Sequence, residues 1–152
     1  MLDIGEPAPA FELPDQNGQP VRLFDLLGSR NVVLFFYPKD NTLVCNLEVC
    51  AFRDAHAELL GSDATVLGVS GDPVGSHRAY AERWGLPYQL LTDADGAVRD
   101  AYQVGRTLGL FPGRVTYVID KEGLVRAAVN DPLRAGVHVR EALAALQDQR
   151  TV

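Results

Sequence analysis

The sequence predicts an α/β domain with a mixed central sheet, helices on both faces and an N-terminal hairpin extension. Three observations carry that expectation. Asn31 to Tyr37 and Thr65 to Ser70 are short, continuous apolar runs rich in β-branched and aromatic residues, the pattern of strands buried on both faces. Each is followed by a stretch with helical spacing. Later in the chain, Arg114 to Asp120 and Leu124 to Val129 read as strands joined only by Lys121-Glu122-Gly123, a loop short enough for an antiparallel hairpin. Parallel strands linked by helical crossovers, plus one hairpin, make a mixed sheet.

In chain order, Phe11 to Leu13 and Val21 to Leu23 form the N-terminal hairpin, turning at Gln16-Asn17-Gly18. Pro38 ends the first buried strand because it cannot donate to a ladder. Thr42 to Leu60 is helical, with Phe52, Ala55 and Leu59 on one face and Gly61 as the stop. Asp72-Pro73 opens a helix running to about Trp84, and Gly85 sits at its C-terminal end. Tyr88 to Leu91 reads as a short strand, and Asp95-Gly96 opens a small helical turn. In the late hairpin Val115, Tyr117 and Ile119 alternate with Thr116 and Val118. Val137 to Leu146 closes the chain as a helix with Val137, Leu143 and Leu146 on its apolar face. The order β-α-β-α, an interlude, a hairpin and a helix is that of a thioredoxin-like fold with an N-terminal extension and an insertion. No shift of composition divides the chain, so residues 1–152 are expected to form one domain.

Bulk properties narrow the function classes. The chain has 152 residues, 47% hydrophobic and 22% charged, ordinary values for a globular protein. A formal net charge of −6 repels a phosphate backbone, and the 14 Lys and Arg residues are scattered, so no nucleic-acid partner is expected. The longest wholly apolar stretch, Val32 to Tyr37, is far short of the roughly 20 residues of a spanning helix. The acidic start lacks the basic and apolar regions of an export signal. No membrane partner and a cytoplasmic location are therefore expected.

The chemistry-bearing stretch is Pro38-Lys-Asp-Asn-Thr42-Leu-Val-Cys45-Asn-Leu-Glu-Val-Cys50-Ala-Phe-Arg53. Cys45 falls in the first turn of the helix that follows the first strand. Unpaired backbone N–H groups and the positive end of the helix dipole favour an anion there, and a thiolate qualifies. Thr42 reads as the N-cap, which puts Cys45 at N3, where a capping glutamate often sits. Cys50 is five residues on, so within one helix the two cysteines lie about 7.5 Å apart along the axis and about 140° apart around it. A disulfide needs Cα atoms within about 7 Å and facing side chains. Two readings stay open: the pair never bonds, or bonding requires the first turns to unwind. Cys50, beside Val49, Ala51 and Phe52, also reads as a small core hydrophobe. His56, His77 and His138 read as solvated helix residues, since none has metal-ligand spacing to another His or to the cysteines.

The segment from Tyr37 to Asp54 resembles the active-site segment of peroxiredoxins, above all the bacterioferritin comigratory or Q type. The Pro-x-x-x-Thr-x-x-Cys pattern of that family is met by Pro38, Thr42 and Cys45, and the subgroup's second cysteine five residues later is met by Cys50. Gly5, Pro7, Ala8, Pro9, Phe11 and Leu13 near the start, Gly68-Val69-Ser70, Leu91-Thr92-Asp93 and the run from Gly113 to Asp120 are similar in the same order, so the likeness spans nearly the whole chain.

The resemblance implies a thiol-dependent peroxidase acting on hydrogen peroxide and organic hydroperoxides. By it Cys45 is the attacking sulfur, which becomes a sulfenic acid, and Cys50 is the resolving cysteine that forms an intramolecular disulfide. Arg114 steadies the thiolate and the peroxide, Thr42 holds the peroxide, and Pro38 shields the sulfenate. Thioredoxin or a similar dithiol is the implied partner. No bound cofactor and no metal are implied, and a monomer is expected.

One departure stands out. The subgroup's Pro-Gly before the first cysteine is replaced by Leu43-Val44, which puts the ranking of peroxides in question. Other readings fit less well. A thiol:disulfide oxidoreductase without peroxidase activity uses Cys-x-x-Cys, a copper-chaperone-like module needs a tighter cysteine pair with a distal His, and an inert partner-binding domain has no use for Thr42, Cys45 and Arg114 together.

Overall fold

The structure, a computed structural model, describes residues 1–107, 111–112, 114–132 and 134–150. Gly113, part of the run similar to the family, lies outside them. A small antiparallel hairpin comes first, β1 (Glu12–Pro14) and β2 (Pro20–Arg22), followed by α1 (Leu23–Leu26). Asp15 makes the turn: its Oδ1 accepts the N–H groups of Asn17 and Gln19. Then come β3 (Asn31–Phe36), α2 (Leu43–Asp54), α3 (His56–Gly61), β4 (Ala64–Ser70), α4 (Val74–Trp84), β5 (Gln89–Thr92) and α5 (Ala97–Ala101). The chain continues through a two-residue pair, β6 (Arg106–Thr107) with β7 (Phe111–Pro112), to β8 (Val115–Ile119), β9 (Val125–Asn130) and α6 (Ala135–Arg150).

The central sheet runs β5-β4-β3-β8-β9. β3 pairs in parallel with β4, β4 in parallel with β5, and β8 runs antiparallel to both β3 and β9. The mixed sheet expected from sequence is therefore present. β3 is buried at every position, as its unbroken apolar run requires. Its odd residues Val33 and Phe35, with Tyr37 just beyond, pack under α2, α3, α4 and α6. Its even residues Val32, Leu34 and Phe36 meet Phe11, Val21, Leu23 and Tyr102 on the opposite face. Helices do lie on both faces, but unequally. The two right-handed crossovers proceed in one direction, from β3 to β4 to β5, so α2 and α4 fall on the same side. The hairpin, α1 and α5 cover the other.

One glycine is required by packing. Gly68 lies between Phe35 and Leu90 in the register of three adjacent strands. A Cβ there would come within 2.7 Å of the Phe35 ring and 2.9 Å of Leu90. Phe35 leans over this gap and stacks on Phe52 of α2, ring centroids 4.6 Å apart at 12°. The missing side chain thus makes room for the ring that supports the cysteine-bearing helix.

Three expectations are corrected. The helix from Thr42 to Leu60 breaks at Ala55 into α2 and α3. His77 and His138 are not solvated but fully buried, and His56 is half-buried against Tyr88. Imidazoles tolerate the interior here because both ring nitrogens of each find partners. His77 Nδ1 lies 2.8 Å from Asp40 and Nε2 lies 3.1 Å from the Leu91 carbonyl. His138 Nε2 lies 2.8 Å from the Asp131 carbonyl and Nδ1 lies 2.7 Å from the Thr116 hydroxyl.

Candidate active site

The register of β8 on β3 explains how residues far apart in sequence come together. Phe36 at the end of β3 pairs with Val115 at the start of β8. Pro38 and the start of α2 leave the sheet at that edge, and Arg114, the residue before β8, enters it there. Residues 69 positions apart thus share one end of the sheet: Arg114 Nη2 donates to Cys45 Sγ at 3.2 Å. Cys45 is fully buried and Arg114 nearly so, at 5% exposure. A guanidinium held against sulfur away from water puts a cation beside the reacting atom, where attraction to negative charge is screened little.

Thr42 occupies the N-cap, in extended backbone, and Cys45 is at N3 as the sequence predicts. The cap bond is not made by the side chain. Thr42 Oγ1, exposed to solvent, donates instead to the Lys39 carbonyl at 3.4 Å. The first helical bond runs from Asn46 N–H to the Thr42 carbonyl. Helix geometry therefore leaves the N–H groups of Leu43, Val44 and Cys45 without acceptors inside the helix, free for an anion or a peroxide oxygen. Leu43, in place of the subgroup's proline, begins the helix with its side chain 76% exposed, while Val44 is half-buried. Pro38 is half-buried just beyond β3.

Cys50 is a free thiol like Cys45, half-buried on the same helix. Burial pushes its thiol up, partly offset by nearby Arg53, with Asp54 adding to the rise. Its helix is tied by side-chain hydrogen bonds to α4 and the loop after it. Tyr80 donates to Asn46 Oδ1 at 2.7 Å, Tyr88 to the Val49 carbonyl at 2.6 Å, and Arg53 to the Trp84 carbonyl at 2.8 Å. Cys50 cannot meet Cys45 while these turns stay wound.

Sequence reasoning passed over Glu48. It is fully buried, and Arg114 Nη1 lies 3.4 Å from its Oε2. Burial raises its carboxyl from the ordinary 4.5 to about 8, an effect that the charge of Arg114 reduces but does not cancel. The available signal was spacing: a residue three after Cys45 shares its helix face. Burial lowers the proton affinity of His138, and Arg114 lowers it further against the pull of the Asp131 carbonyl. Arg114 is steadied from a third side by the Pro132 carbonyl, 3.3 Å from Nε.

For a metal, Asp40, Asp72 and His77 are the cluster among the described residues whose ligand atoms lie within 4.8 Å of one another. Both carboxylates already accept hydrogen bonds, and both ring nitrogens of His77 have partners. Tyr37 and Ser76 donate to Asp40 at 2.6 and 2.8 Å, and Ser70 and the Asp40 N–H donate to Asp72 at 2.6 and 2.9 Å. The cluster ties the loop before α2 to α4.

Comparison with known proteins agrees with this geometry. The AhpC/TSA family model matches residues 4–128. Peroxiredoxin Q from the chloroplast of Arabidopsis thaliana is 44% identical over 143 residues, 93% of this chain and 66% of that protein. The chain thus spans about two thirds of the length of that plant relative. Among solved structures, the peroxidoxin BcpB of Mycobacterium tuberculosis superposes with a TM-score of 0.90 at 38% identity, covering 97% of this chain and 98% of that one. The bacterioferritin comigratory protein of Xanthomonas campestris, described for alkyl peroxide reduction, superposes with a TM-score of 0.83 at 29% identity, covering 91% of each. A buried cysteine at a helix start, an arginine brought to it across the sheet, and matches of this extent have one reading: the chain belongs to the AhpC/TSA family as a peroxiredoxin of the Q, or bacterioferritin comigratory, type, a thiol-dependent peroxidase.

Proposed function

We propose that Cys45 is the sulfur that takes the peroxide oxygen and that Cys50 resolves the product. The observation that carries this assignment is the buried contact of Arg114 with Cys45 Sγ at 3.2 Å. The Cys45 thiolate attacks the terminal oxygen of a hydroperoxide. An S–O bond forms, the O–O bond breaks, and the leaving oxygen takes a proton to become water or an alcohol. Arg114 offsets the charge spreading over the breaking bond, Thr42 and the free N–H groups of the first turn orient the peroxide, and Pro38 keeps water from the sulfenate. Once α2 opens, the Cys50 thiolate attacks the sulfenic sulfur, releasing water and leaving a Cys45–Cys50 disulfide. A dithiol of the thioredoxin kind then reduces it by exchange.

Hydrogen peroxide and organic hydroperoxides are the proposed substrates, the latter in line with the alkyl peroxide reduction named for the Xanthomonas relative. One domain over residues 1–152, acting as a monomer in the cytoplasm, completes the proposal, and gel filtration and cell fractionation check the last two points. The test of the chemistry is peroxide consumption coupled to thioredoxin, thioredoxin reductase and NADPH. Wild type should turn over, and Cys45→Ser should not. Cys50→Ser should consume one peroxide per chain and then stop. Full recycling by Cys50→Ser would remove its resolving role, and turnover by Cys45→Ser would remove Cys45 as nucleophile.

A further inference from the structure

Arg114 serves two acids at once. One arm of its guanidinium points at Cys45 Sγ, 3.2 Å away, and the other at Glu48 Oε2, 3.4 Å away. Both acidic groups are fully buried. A carboxylate accepts hydrogen bonds at both oxygens, yet Glu48 Oε1 has no partner. Each element packed around Glu48 offers little further positive charge. On α6, His138 lies 3.8 Å away, but its Nε2 hydrogen goes to the Asp131 carbonyl, its Nδ1 lies against the Thr116 hydroxyl, and burial lowers its proton affinity, which favours the neutral ring. Tyr88, before β5, keeps its proton because burial raises it, and Glu48 raises it further. Arg114, before β8, is the only cation among the described residues in contact with Glu48. One buried cation balances one buried anion, and a second anion there would be left uncompensated away from water.

We propose that Cys45 and Glu48 share a single negative charge under Arg114: Glu48 holds a proton while Cys45 is a thiolate, and gives it up when peroxide removes the charge from sulfur. The inference rests on the peroxidase reading above and deepens it. Before reaction the pocket holds a thiolate, a carboxylic acid and a guanidinium. The sulfur then gives two electrons to the O–O bond and becomes a neutral sulfenic acid, while the leaving oxygen departs as hydroxide or alkoxide and takes up a proton. Arg114 now faces no anion at sulfur, and above about pH 8, where the buried carboxyl titrates beside Arg114 alone, Glu48 ionises to fill that place. The proton that Glu48 releases balances the one that the leaving oxygen gains, so the oxidation draws none from solvent. After reduction regenerates the thiolate, Glu48 takes a proton back. Glu48 acts here through Arg114, as a positioning residue that sets the charge of the pocket.

The test uses Cys50→Ser, which halts at the sulfenic acid and keeps Glu48 native, so it stands even if Glu48→Gln fails to fold. Thiolate absorbance in the ultraviolet first establishes that Cys45 is ionised. Infrared difference spectra at about pH 9, with isotope-labelled glutamate for assignment, should then show a protonated carboxylic acid band before a stoichiometric addition of hydrogen peroxide and its loss afterwards. At the same pH, in weak buffer with an indicator dye, Cys50→Ser should take up no net proton per sulfenic acid formed. The double variant with Glu48→Gln should take up one. A carboxylic acid band that persists through oxidation, or equal proton uptake by the two proteins, overturns the charge exchange while leaving the peroxidase intact. No sulfenic acid in either protein overturns the peroxidase reading and this inference with it.

Discussion

Replacing Glu48 by glutamine should change how stability depends on pH, by an amount that follows from the burial of the carboxyl. In the unfolded chain this group ionises near its ordinary 4.5, whereas in the fold burial holds its proton up to about 8. The folded state therefore binds more protons across that window, and stability falls as pH rises. The contribution is fully present below the unfolded value and is lost by the time pH passes the folded one. At about 1.4 kcal/mol per tenfold difference in ionisation, the whole window amounts to about 5 kcal/mol. Between about pH 6 and about pH 9, the loss is about 2 to 3 kcal/mol. The Glu48→Gln variant has nothing to titrate at this position and escapes it. The assay is urea unfolding at both pH values, with Cys45 replaced by serine in each protein so that its thiol does not enter. Cys50, His138 and the buried tyrosines titrate alike in both and cancel. The protein that keeps Glu48 should lose about 2 to 3 kcal/mol more than the Glu48→Gln protein over this interval. Parallel pH dependences would refute the reasoning, since they would mean that the folded carboxyl ionises where the unfolded one does.

Two further outcomes follow from the packing under α2. Gly68→Ala would place a Cβ 2.7 Å from the Phe35 ring and 2.9 Å from Leu90, so the core must shift. It should destabilise by about 1 to 3 kcal/mol, seen as a lower urea midpoint; an unchanged midpoint would show that Phe35 yields without cost. Tyr80→Phe removes the 2.7 Å bond to Asn46, worth about 1 kcal/mol, so α2 should open more readily and the disulfide form faster after oxidation. Trp84, the chain's one tryptophan, packs against the same hydrophobic cluster as Cys50, and its fluorescence reports the step in stopped flow. Slower closure would mean that Tyr80 guides the cysteines together instead of holding them apart.

Much of this protein was determined by local sequence. The unbroken apolar run 32–37, short and rich in β-branched and aromatic residues, read as a strand buried on both faces, Gly85 could take the left-handed turn that ends α4, and the Thr42-to-Cys45 spacing set the sulfur at N3. These features depend on neighbours a few residues away, and periodicity and capping chemistry read them directly. What depended on tertiary structure was which polar groups end up inside. His77 and His138 have nothing in their sequence surroundings to mark them as buried. Their partners Asp40, Leu91, Thr116 and Asp131 come from other elements. Glu48 looks like any solvated helix glutamate until the pairing of Phe36 with Val115 delivers Arg114 to the same end of the sheet. Sequence alone marked the proposed nucleophile, because a helix start favours an anion wherever it occurs. Only the closed sheet decided that two buried acids face one cation, because the charge balance of a site is settled by everything packed around it.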